Sequence, residues 1–255
     1  MNISFIGSGN VATHLALAFK GAGHEIEQVL SREFDHAADL AMKVGAHPID
    51  KYSQLNEKAD IYVVAVGDDA LYDVALDLHL ERKLVVHTSG STPMSVLKPI
   101  SLHYGVIYAP QSFVKSVEMD YSHLPFCIEA SDERSLMKLK MLVGSVSDRW
   151  YELNSEQRRK LHLASVMVNN FGNALNAMAQ QMMQREHIPF ELLFPLIEMT
   201  TQKIYQGKPL WNLQTGPAVR RDQKTIDAHR RLLVDNPEML QIYDLMTQII
   251  DNATH

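Results

Sequence analysis

The chain has 255 residues, of which 46% are hydrophobic and 21% are charged, and its formal net charge is −6. This is the composition of an ordinary globular protein, and the negative charge argues against a nucleic-acid-binding surface, which usually carries a basic stripe. The single cysteine, Cys127, cannot form an internal disulfide, so a reducing, cytoplasmic location is expected. The 12 histidines lack the spacing of metal ligands, and no apolar run reaches membrane-spanning length. We therefore expect neither a metal site nor a membrane segment.

The first part of the chain alternates short apolar runs with helical stretches. Several of the runs show little polar alternation, as is typical of strands buried on both faces of a sheet. Strand–helix alternation of this kind predicts an α/β domain with a mostly parallel sheet. The predicted strands are ISFIG, EIEQVLS, DIYVVAVG, KLVVHTSG, YGVIYAPQSF, PFCIEA and DRWYEL. The predicted helices among them are the stretch ending at Gly21 and Gly23, FDHAADLAMKVG, DDALYDVALDL, and one that starts at Ser131.

The character of the sequence changes near Asn154. No proline interrupts residues 155–187, and apolar side chains recur there at helical spacing, which predicts one long helix. The stretches that follow are helical and are punctuated by prolines and glycines. We therefore predict an α/β domain over 1–153 and an all-α domain over 154–255. The apolar stripe of the long helix is Leu161, Val168, Phe171, Leu175, Met178 and Met182.

The first apolar run leads directly into a glycine-rich turn and then into an amphipathic helix. There Gly7 permits a tight turn, Gly9 lets the backbone approach a pyrophosphate, and Ala12 allows close packing of helix on strand. The free N–H groups of the helix N-terminus would face the phosphates. A turn without ligand is the alternative, but the context favours a Rossmann-type dinucleotide site. Its residues would be Gly7, Ser8, Gly9, Asn10 and Val11.

The end of the second strand indicates which dinucleotide would bind. NAD sites usually place an acidic side chain there, about 20 residues after the glycines, to bond the ribose 2′-hydroxyl. Here Ser31 and Arg32 occupy that place. A hydroxyl and a guanidinium suit a 2′-phosphate, because arginine offers a planar fork of donors. Arg32 could also be a solvated surface residue, and Glu33 and Asp35 lie close by, but we predict NADP rather than NAD.

Four segments of the chain together carry a resemblance to one bacterial family: FIGSGNVATHLALAF, VVAVGDDAL, VVHTSGS and TGPAVRRDQKTIDAH. The chain resembles a family of Rossmann-like NADP oxidoreductases with a C-terminal helical domain of unknown function. That family is similar in plan to pyrroline-5-carboxylate reductase, ketopantoate reductase and the 6-phosphogluconate dehydrogenase superfamily. The resemblance spans nearly the whole chain and implies an NADP-binding domain followed by a helical domain for substrate binding and dimerisation.

The resemblance also implies roles for individual residues. Val66, Gly67 and Asp68 would lie along the ribose and pyrophosphate of the cofactor. Ser89 and Gly90 would lie beside the nicotinamide, because ligands collect beyond the carboxyl ends of strands in open parallel sheets.

Two further residues near these loops are candidates. Gln111 would border the substrate cleft. His87 is left open, because it is either a cofactor contact or a histidine satisfied in the interior by backbone partners.

The segment Thr215-Gly216-Pro217 matches the family pattern and suggests an anion site. Pro217 suits the first position of a helix, with Thr215 or Gly216 as its cap. With Arg220 nearby, that helix N-terminus would hold a substrate carboxylate or phosphate. The alternative is a helix cap with a solvated basic face.

The long helix carries the candidate catalytic groups. In hydroxyacid dehydrogenases of similar plan, a lysine and an asparagine project from this helix, but here the lysine position holds Val166. Asn170 lies four residues later and would orient the substrate. His162 is the nearest titratable side chain on that face and would supply a proton. The polar face could instead be solvated or could contact a second subunit.

Together these features predict an NADPH-dependent oxidoreductase that reduces a small carbonyl or imine substrate in a cleft between the domains. The missing lysine leaves open a non-catalytic NADP-binding sensor or regulatory protein. A reductase that uses another hydride carrier, such as a deazaflavin, with NADP as the second partner is a third possibility. The methionine-rich, apolar helices are expected to form a homodimer. We expect no nucleic-acid or membrane partner.

Overall fold

The computed structural model describes residues 1–255. By its internal contacts the chain forms two compact units, Met1–Phe171 and Gly172–His255. Residues 154–171 fall in the first unit, where Arg158 on this stretch bonds to the loop that follows His87. The domain assignment 1–153 and 154–255 stays a prediction.

An eight-stranded sheet forms the framework of the first unit. Its strand order is β3-β2-β1-β4-β5-β6-β7-β8, and neighbours pair in parallel except β6 and β7, which are antiparallel. The order reverses between β1 and β4, which in open α/β sheets is where ligands bind. The strands are β1 (Asn2–Ile6), β2 (Glu25–Leu30), β3 (His47–Ile49), β4 (Ile61–Val64), β5 (Leu84–His87), β6 (His103–Tyr108), β7 (Phe126–Ala130) and β8 (Trp150–Glu152).

Helices cover both faces of this sheet. Successive side chains of a strand point to opposite faces, so Val63 and Val86 join one buried cluster while Val64 and Val85 join the other. Helices α1, α2 and α4 contribute to the first cluster and α3 to the second. The helices of this unit are α1 (Asn10–Gly21), α2 (Phe34–Val44), α3 (Asp68–Asp77), α4 (Glu133–Gly144) and α5 (Ser155–Ser165).

The second unit is helical and has few buried apolar residues. Only Ala218, Ile226 and Leu233 of its hydrophobic residues are buried within the chain. Its helices are α6 (Gly172–Arg185), α7 (Phe194–Ile204), α8 (Gln223–Leu232) and α9 (Pro237–Thr254).

The predicted fold class, a Rossmann-type, mostly parallel sheet followed by an all-α region, is confirmed. Strand β3 was not predicted, because three residues carry no periodic signal. Helix α4 is capped by Asp132 rather than Ser131, since the Asp132 side chain accepts the N–H of Ser135 over 2.9 Å. The long helix is not uniform, because a π-helical segment, Val166–Phe171, separates α5 from α6.

The structure also bears on membrane-spanning segments, metal sites and the single cysteine. No helix is both long and apolar enough to cross a membrane. No group of three or more histidine, cysteine or acidic side chains is arranged to hold a metal ion. Cys127 is buried on β7, and burial raises the pKa of its thiol to about 11, so little thiolate forms at neutral pH.

Candidate active site

The turn between β1 and α1 requires glycine at position 7. Gly7 has a φ of +106°, and a Cβ atom there would lie 2.2 Å from the carbonyl oxygen of Ala65, just after β4. The Gly7 N–H donates to the carbonyl of Leu30, at the end of β2, over 2.7 Å. The turn is therefore fixed against both neighbouring strands, and any other residue at position 7 would be strained.

Gly9 has a different role, because a Cβ atom there would meet nothing within 4 Å. Its φ of −73° and ψ of −169° are allowed for any L-residue. Gly9 is the N-cap of α1, and no side chain caps this helix end. A pyrophosphate fits this combination of backbone donors without side-chain acceptors, the positive end of a helix dipole, and room for close approach.

A cavity of about 690 Å³, here called the first cavity, opens beside this turn. It lies where the strand order reverses and is bounded by the β1–α1 turn, the end of β2, the loop after β4 and helix α3. Of the predicted cofactor residues, those that line it are Gly7, Ser8, Gly9, Ser31, Arg32, Val66 and Gly67.

The charges in the first cavity restrict where a phosphate can bind. Arg32 is the only cationic side chain that lines it, whereas Asp73 and Asp77 of α3 are acidic. Burial and the Asp77 carboxylate raise the pKa of Tyr52, with an opposing effect of Arg32 and a small addition from Asp73. Tyr52 therefore stays neutral. Arg32, with Ser31 beside it, is the part of the lining that suits a phosphate.

A smaller cavity of about 210 Å³, the second cavity, lies at the carboxyl ends of β5 and β6. Val66 lines both cavities, so the two adjoin at the loop after β4. All of its lining residues belong to the first unit. The other predicted residues that line it are Val11, Asp68, Ser89, Gly90, Gln111 and His162.

Hydrogen bonds tie the loops after β4 and β5 together at the second cavity. The Ser91 hydroxyl donates to the Asp68 carboxylate. Ser89 Oγ accepts the N–H groups of Ser91 and Thr92 over 3.2 and 2.9 Å. The bond between Ser91 and Asp68 therefore joins the two loops, and the Asp68 carboxylate has Ser91 as its hydrogen-bond partner.

Arg158 of α5 is a site residue that was not predicted from the sequence. Its side chain is only 1% exposed, and its Nη2 donates to Glu129 of β7 over 3.2 Å. Its Nη1 donates to the carbonyls of Ser89, Gly90 and Thr92 over 2.8, 3.2 and 2.8 Å. The guanidinium thus fixes the loop after β5. A lone arginine on a helix gives no signal of this, because its loop partners lie 66 to 69 residues away.

His87 at the end of β5 is an interior histidine. It is completely buried and does not line either cavity. Its Nδ1 accepts the N–H of Ser89 over 3.1 Å, while Nε2 has no hydrogen-bond partner. Burial, together with the nearby Arg158 guanidinium, lowers the pKa of His87 to about 3, so the ring is neutral at physiological pH. Of the two alternatives left open, the structure supports the interior one, with one ring nitrogen satisfied.

The two predicted catalytic residues do not lie together. His162 lines the second cavity, whereas Asn170 is exposed and lines neither cavity. The segment Val166–Phe171 is π-helical, and a π turn takes about one residue more than an α turn. Side chains beyond Val166 are therefore rotated about the helix axis relative to the α-helical spacing that we assumed. The role of Asn170 stays a prediction.

The connection between β6 and β7 packs on α1. His14 is buried, and its ring nitrogens bond to the Tyr121 hydroxyl and the Val114 carbonyl, each over 2.9 Å. Asn10 Oδ1 accepts the N–H of Lys115 over 3.3 Å. Asn10 lines neither cavity, and its assignment to the cofactor stays a prediction.

In the second unit, the prediction that Pro217 begins a helix is wrong. Residues 217–221 form a turn, and α8 begins only at Gln223, after Asp222 as N-cap. Arg221 has a φ of +50°, which ends the helical path before α8.

The other residues of that segment are accessible. Thr215 and Arg220 are exposed, and the Arg220 N–H donates to the carbonyl of Gly216 over 3.3 Å. Their assignment to the substrate, with Gly216, stays a prediction.

Two family models match parts of the chain. Residues 2–90 match the model described as NADP oxidoreductase coenzyme F420-dependent, and residues 124–250 match a domain of unknown function, DUF2520. One solved structure is similar to this chain over nearly its whole length. It is the "putative NADP oxidoreductase BF3122 from Bacteroides fragilis", with 38% identity over 98% of both chains and a TM-score of 0.90. The chain belongs to this NADP oxidoreductase family.

More distant structures share the fold of this NADP oxidoreductase family. Protein TM1727 from Thermotoga maritima has 23% identity over 99% of this chain and 98% of its own, with a TM-score of 0.76. The imine reductase from Myxococcus stipitatus in complex with NADP+ has 19% identity over 99% of this chain and 94% of its own, with a TM-score of 0.63. A comparison with curated proteins finds no match.

The resemblance predicted from the sequence is confirmed by these matches. Pyrroline-5-carboxylate reductases, named above as similar in plan, are among the solved structures that share the fold. The prediction of NADP as cofactor is confirmed at the level of the family.

Proposed function

We propose that this member of the NADP oxidoreductase family is an NADPH-dependent reductase of a small carbonyl or imine substrate. The observation that carries the proposal is the second cavity, which adjoins the first cavity at Val66 and is lined by His162. Reduction of a C=O or C=N bond needs a hydride and a proton. A titratable side chain beside a groove for a hydride carrier is the arrangement that this reaction requires.

NADPH would lie along the first cavity. Its pyrophosphate would meet Gly9 and the N-terminus of α1, where no side chain competes for the N–H groups. Its 2′-phosphate would meet Ser31 and Arg32, the only cationic end of the cavity. When bound, the cofactor supplies the hydride.

The substrate would lie in the second cavity. A volume of about 210 Å³, shared with the nicotinamide, admits only a small molecule. Asp68, Ser89 and Gln111 line this cavity and offer hydrogen-bonding groups that can orient a polar substrate. The imine reductase named above shares this fold, which supports an imine as one substrate class by analogy of fold.

The test is a turnover assay with a panel of small ketones, aldehydes, keto acids and cyclic imines. NADPH oxidation is followed by its absorbance, and NADPH affinity is measured in parallel by calorimetry. We expect at least one substrate to be reduced, and we expect His162→Gln to slow its turnover by about 10²-fold without weakening NADPH. Tight NADPH binding with no turnover across the panel would contradict the proposal.

A non-catalytic NADP-binding sensor or regulatory protein is the second candidate. The observation that favours it is that no lysine lines the second cavity. Val166 stands where the resemblance to hydroxyacid dehydrogenases implies a lysine. A partner protein that co-purifies only when NADP is present, together with absent turnover, would support this candidate.

We further propose that the second unit forms a homodimer. With only Ala218, Ile226 and Leu233 buried, it has too small a core to be stable by itself. Large apolar side chains, among them Phe194 and Trp211, are exposed and would be covered by a second copy. Light scattering after gel filtration is expected to give twice the chain mass, and a monomer would contradict the dimer.

A further inference from the structure

Tyr108 is a second polar ring in the second cavity, and it was not among the predicted residues. It ends strand β6 and is only 8% exposed. Its hydroxyl lies 3.3 Å from Nδ1 of His162, and the two rings meet edge to face with centroids 6.0 Å apart. Both residues line the cavity.

Gly90 provides the space in which the two rings meet. A Cβ atom on Gly90 would lie 2.6 Å from His162 Nδ1 and 2.9 Å from Tyr108 Cε2, closer than packed atoms come. The backbone of Gly90 is not in the left-handed region that favours glycine. Glycine is therefore needed at this position for space, and the two rings fill that space.

The position of Gly90 is itself fixed by Arg158, which donates to the Gly90 carbonyl over 3.2 Å. Arg158 and His162 both lie on α5, one turn apart. Strand β6, the loop after β5 and helix α5 thus converge on one point, and the pair of rings is held from three sides.

The surroundings of Tyr108 keep its proton in place at neutral pH. Burial raises the pKa of Tyr108; the Ser165 hydroxyl and Arg158 oppose this rise, and Cys127 adds to it. Asp68 is the charged side chain that lines the same cavity. The phenol is therefore a donor rather than a phenolate. His162 is less buried than Tyr108 and is partly accessible to solvent.

We propose that Tyr108 is a catalytic residue, which passes its hydroxyl proton to the oxygen or nitrogen of the substrate and is reprotonated by His162. This inference rests on the proposed function. In carbonyl reduction the C=O π bond breaks, the hydride forms the new C–H bond, and the Tyr108 proton forms the O–H bond of the alcohol. With an imine the same proton forms the N–H bond of the amine. The phenolate oxygen then takes the Nδ1 proton of protonated His162, which becomes neutral and regains a proton from solvent.

The experiment compares Tyr108→Phe with Tyr104→Phe, a matched control at the other end of β6 that lines neither cavity. Three readouts are taken on the NADP-bound protein: turnover, NADPH affinity, and the NMR signals of the His162 ring nitrogens. We expect Tyr108→Phe to slow turnover by about 10²-fold with unchanged NADPH affinity. We also expect it to shift the Nδ1 signal of His162, because that nitrogen loses the hydroxyl that lies 3.3 Å from it.

The possible failures are distinguishable. If the unmodified protein reduces nothing in the panel, the proposed function fails, and the His162 Nδ1 signal still decides whether the two side chains interact. If the unmodified protein turns over and Tyr108→Phe behaves like Tyr104→Phe, the assignment of Tyr108 is overturned. Should Tyr108→Phe fold poorly, Gly90→Ala introduces a Cβ atom that would push the same two rings apart. It must then give the same loss of turnover and the same shift of the His162 Nδ1 signal.

Discussion

Replacing Gly9 by valine separates the effect on ligand binding from the effect on folding. A Cβ atom at Gly9 meets nothing within 4 Å, and the backbone there suits any L-residue. The fold should lose only the difference between glycine and valine as an N-cap, about 1 kcal/mol. In a protein of this size that lowers Tm by about 2–4 °C.

The effect on NADPH binding should be much larger than this. The methyl groups of valine would enter the space in which the pyrophosphate meets the backbone of Gly9 and the N-terminus of α1. We expect affinity to fall at least 100-fold, or about 2.8 kcal/mol, since each tenfold change is about 1.4 kcal/mol. Calorimetry gives the affinity, and thermal unfolding without ligand gives the stability.

Two other glycines serve as controls for Gly9→Val. Gly21 at the far end of α1 also has open space around its Cβ position, so Gly21→Val should leave affinity unchanged. Gly7→Ala should instead destabilise the fold, because its Cβ atom would lie 2.2 Å from the Ala65 carbonyl oxygen at a φ of +106°. Wild-type affinity in a folded Gly9→Val variant would refute the placement of the pyrophosphate.

Three further predictions concern charged residues. Arg32→Ala should weaken NADPH about 10- to 100-fold more than NADH, because it removes a charge-assisted contact to the 2′-phosphate; equal losses, by calorimetry, would refute the choice of NADP. Arg158→Met should lower the free energy of unfolding by about 3–5 kcal/mol, because it leaves the Glu129 carboxylate without its buried cationic partner and frees the loop after β5. A loss under about 1 kcal/mol in denaturant titrations would contradict this. Burial acts to raise the pKa of Asp132, but hydrogen bonds from His103 and from neighbouring serines outweigh it and lower that pKa below its usual value. The stability that ionised Asp132 contributes is therefore present above its unfolded pKa of about 3.9 and is lost as the pH falls towards the lower folded pKa. The difference in the free energy of unfolding between wild type and Asp132→Asn should be constant near neutrality and should shrink below about pH 4.

Much of the fold could be predicted because its signals are local. Apolar runs bounded by turns gave seven of the strands, and the glycines after β1 gave the dinucleotide turn. The failures have local causes as well. Strand β3 is too short to show a period, and the left-handed backbone at Arg221 prevents Pro217 from starting a helix.

The candidate site was predicted in part. Most of the predicted cofactor residues line the two cavities, and His162 does too. Asn170 does not, because its placement assumed α-helical spacing and the chain forms a π segment there. Tyr108 looked like an ordinary strand residue, since nothing near it in sequence indicates that His162 lies against it.

By itself, the sequence determined the order of seven of the eight strands, the turn at Gly7 and Gly9, and the basic end of the second strand at Arg32. Each of these depends on residues within one turn or one strand of each other. Only the tertiary structure decided that Arg158 fixes the loop after β5 and that Gly90 makes room for Tyr108 and His162. Arg158 lies 69 positions from Ser89, and His162 lies 54 positions from Tyr108. The burial of the Arg158 guanidinium and of the Tyr108 hydroxyl exists only once the chain has folded.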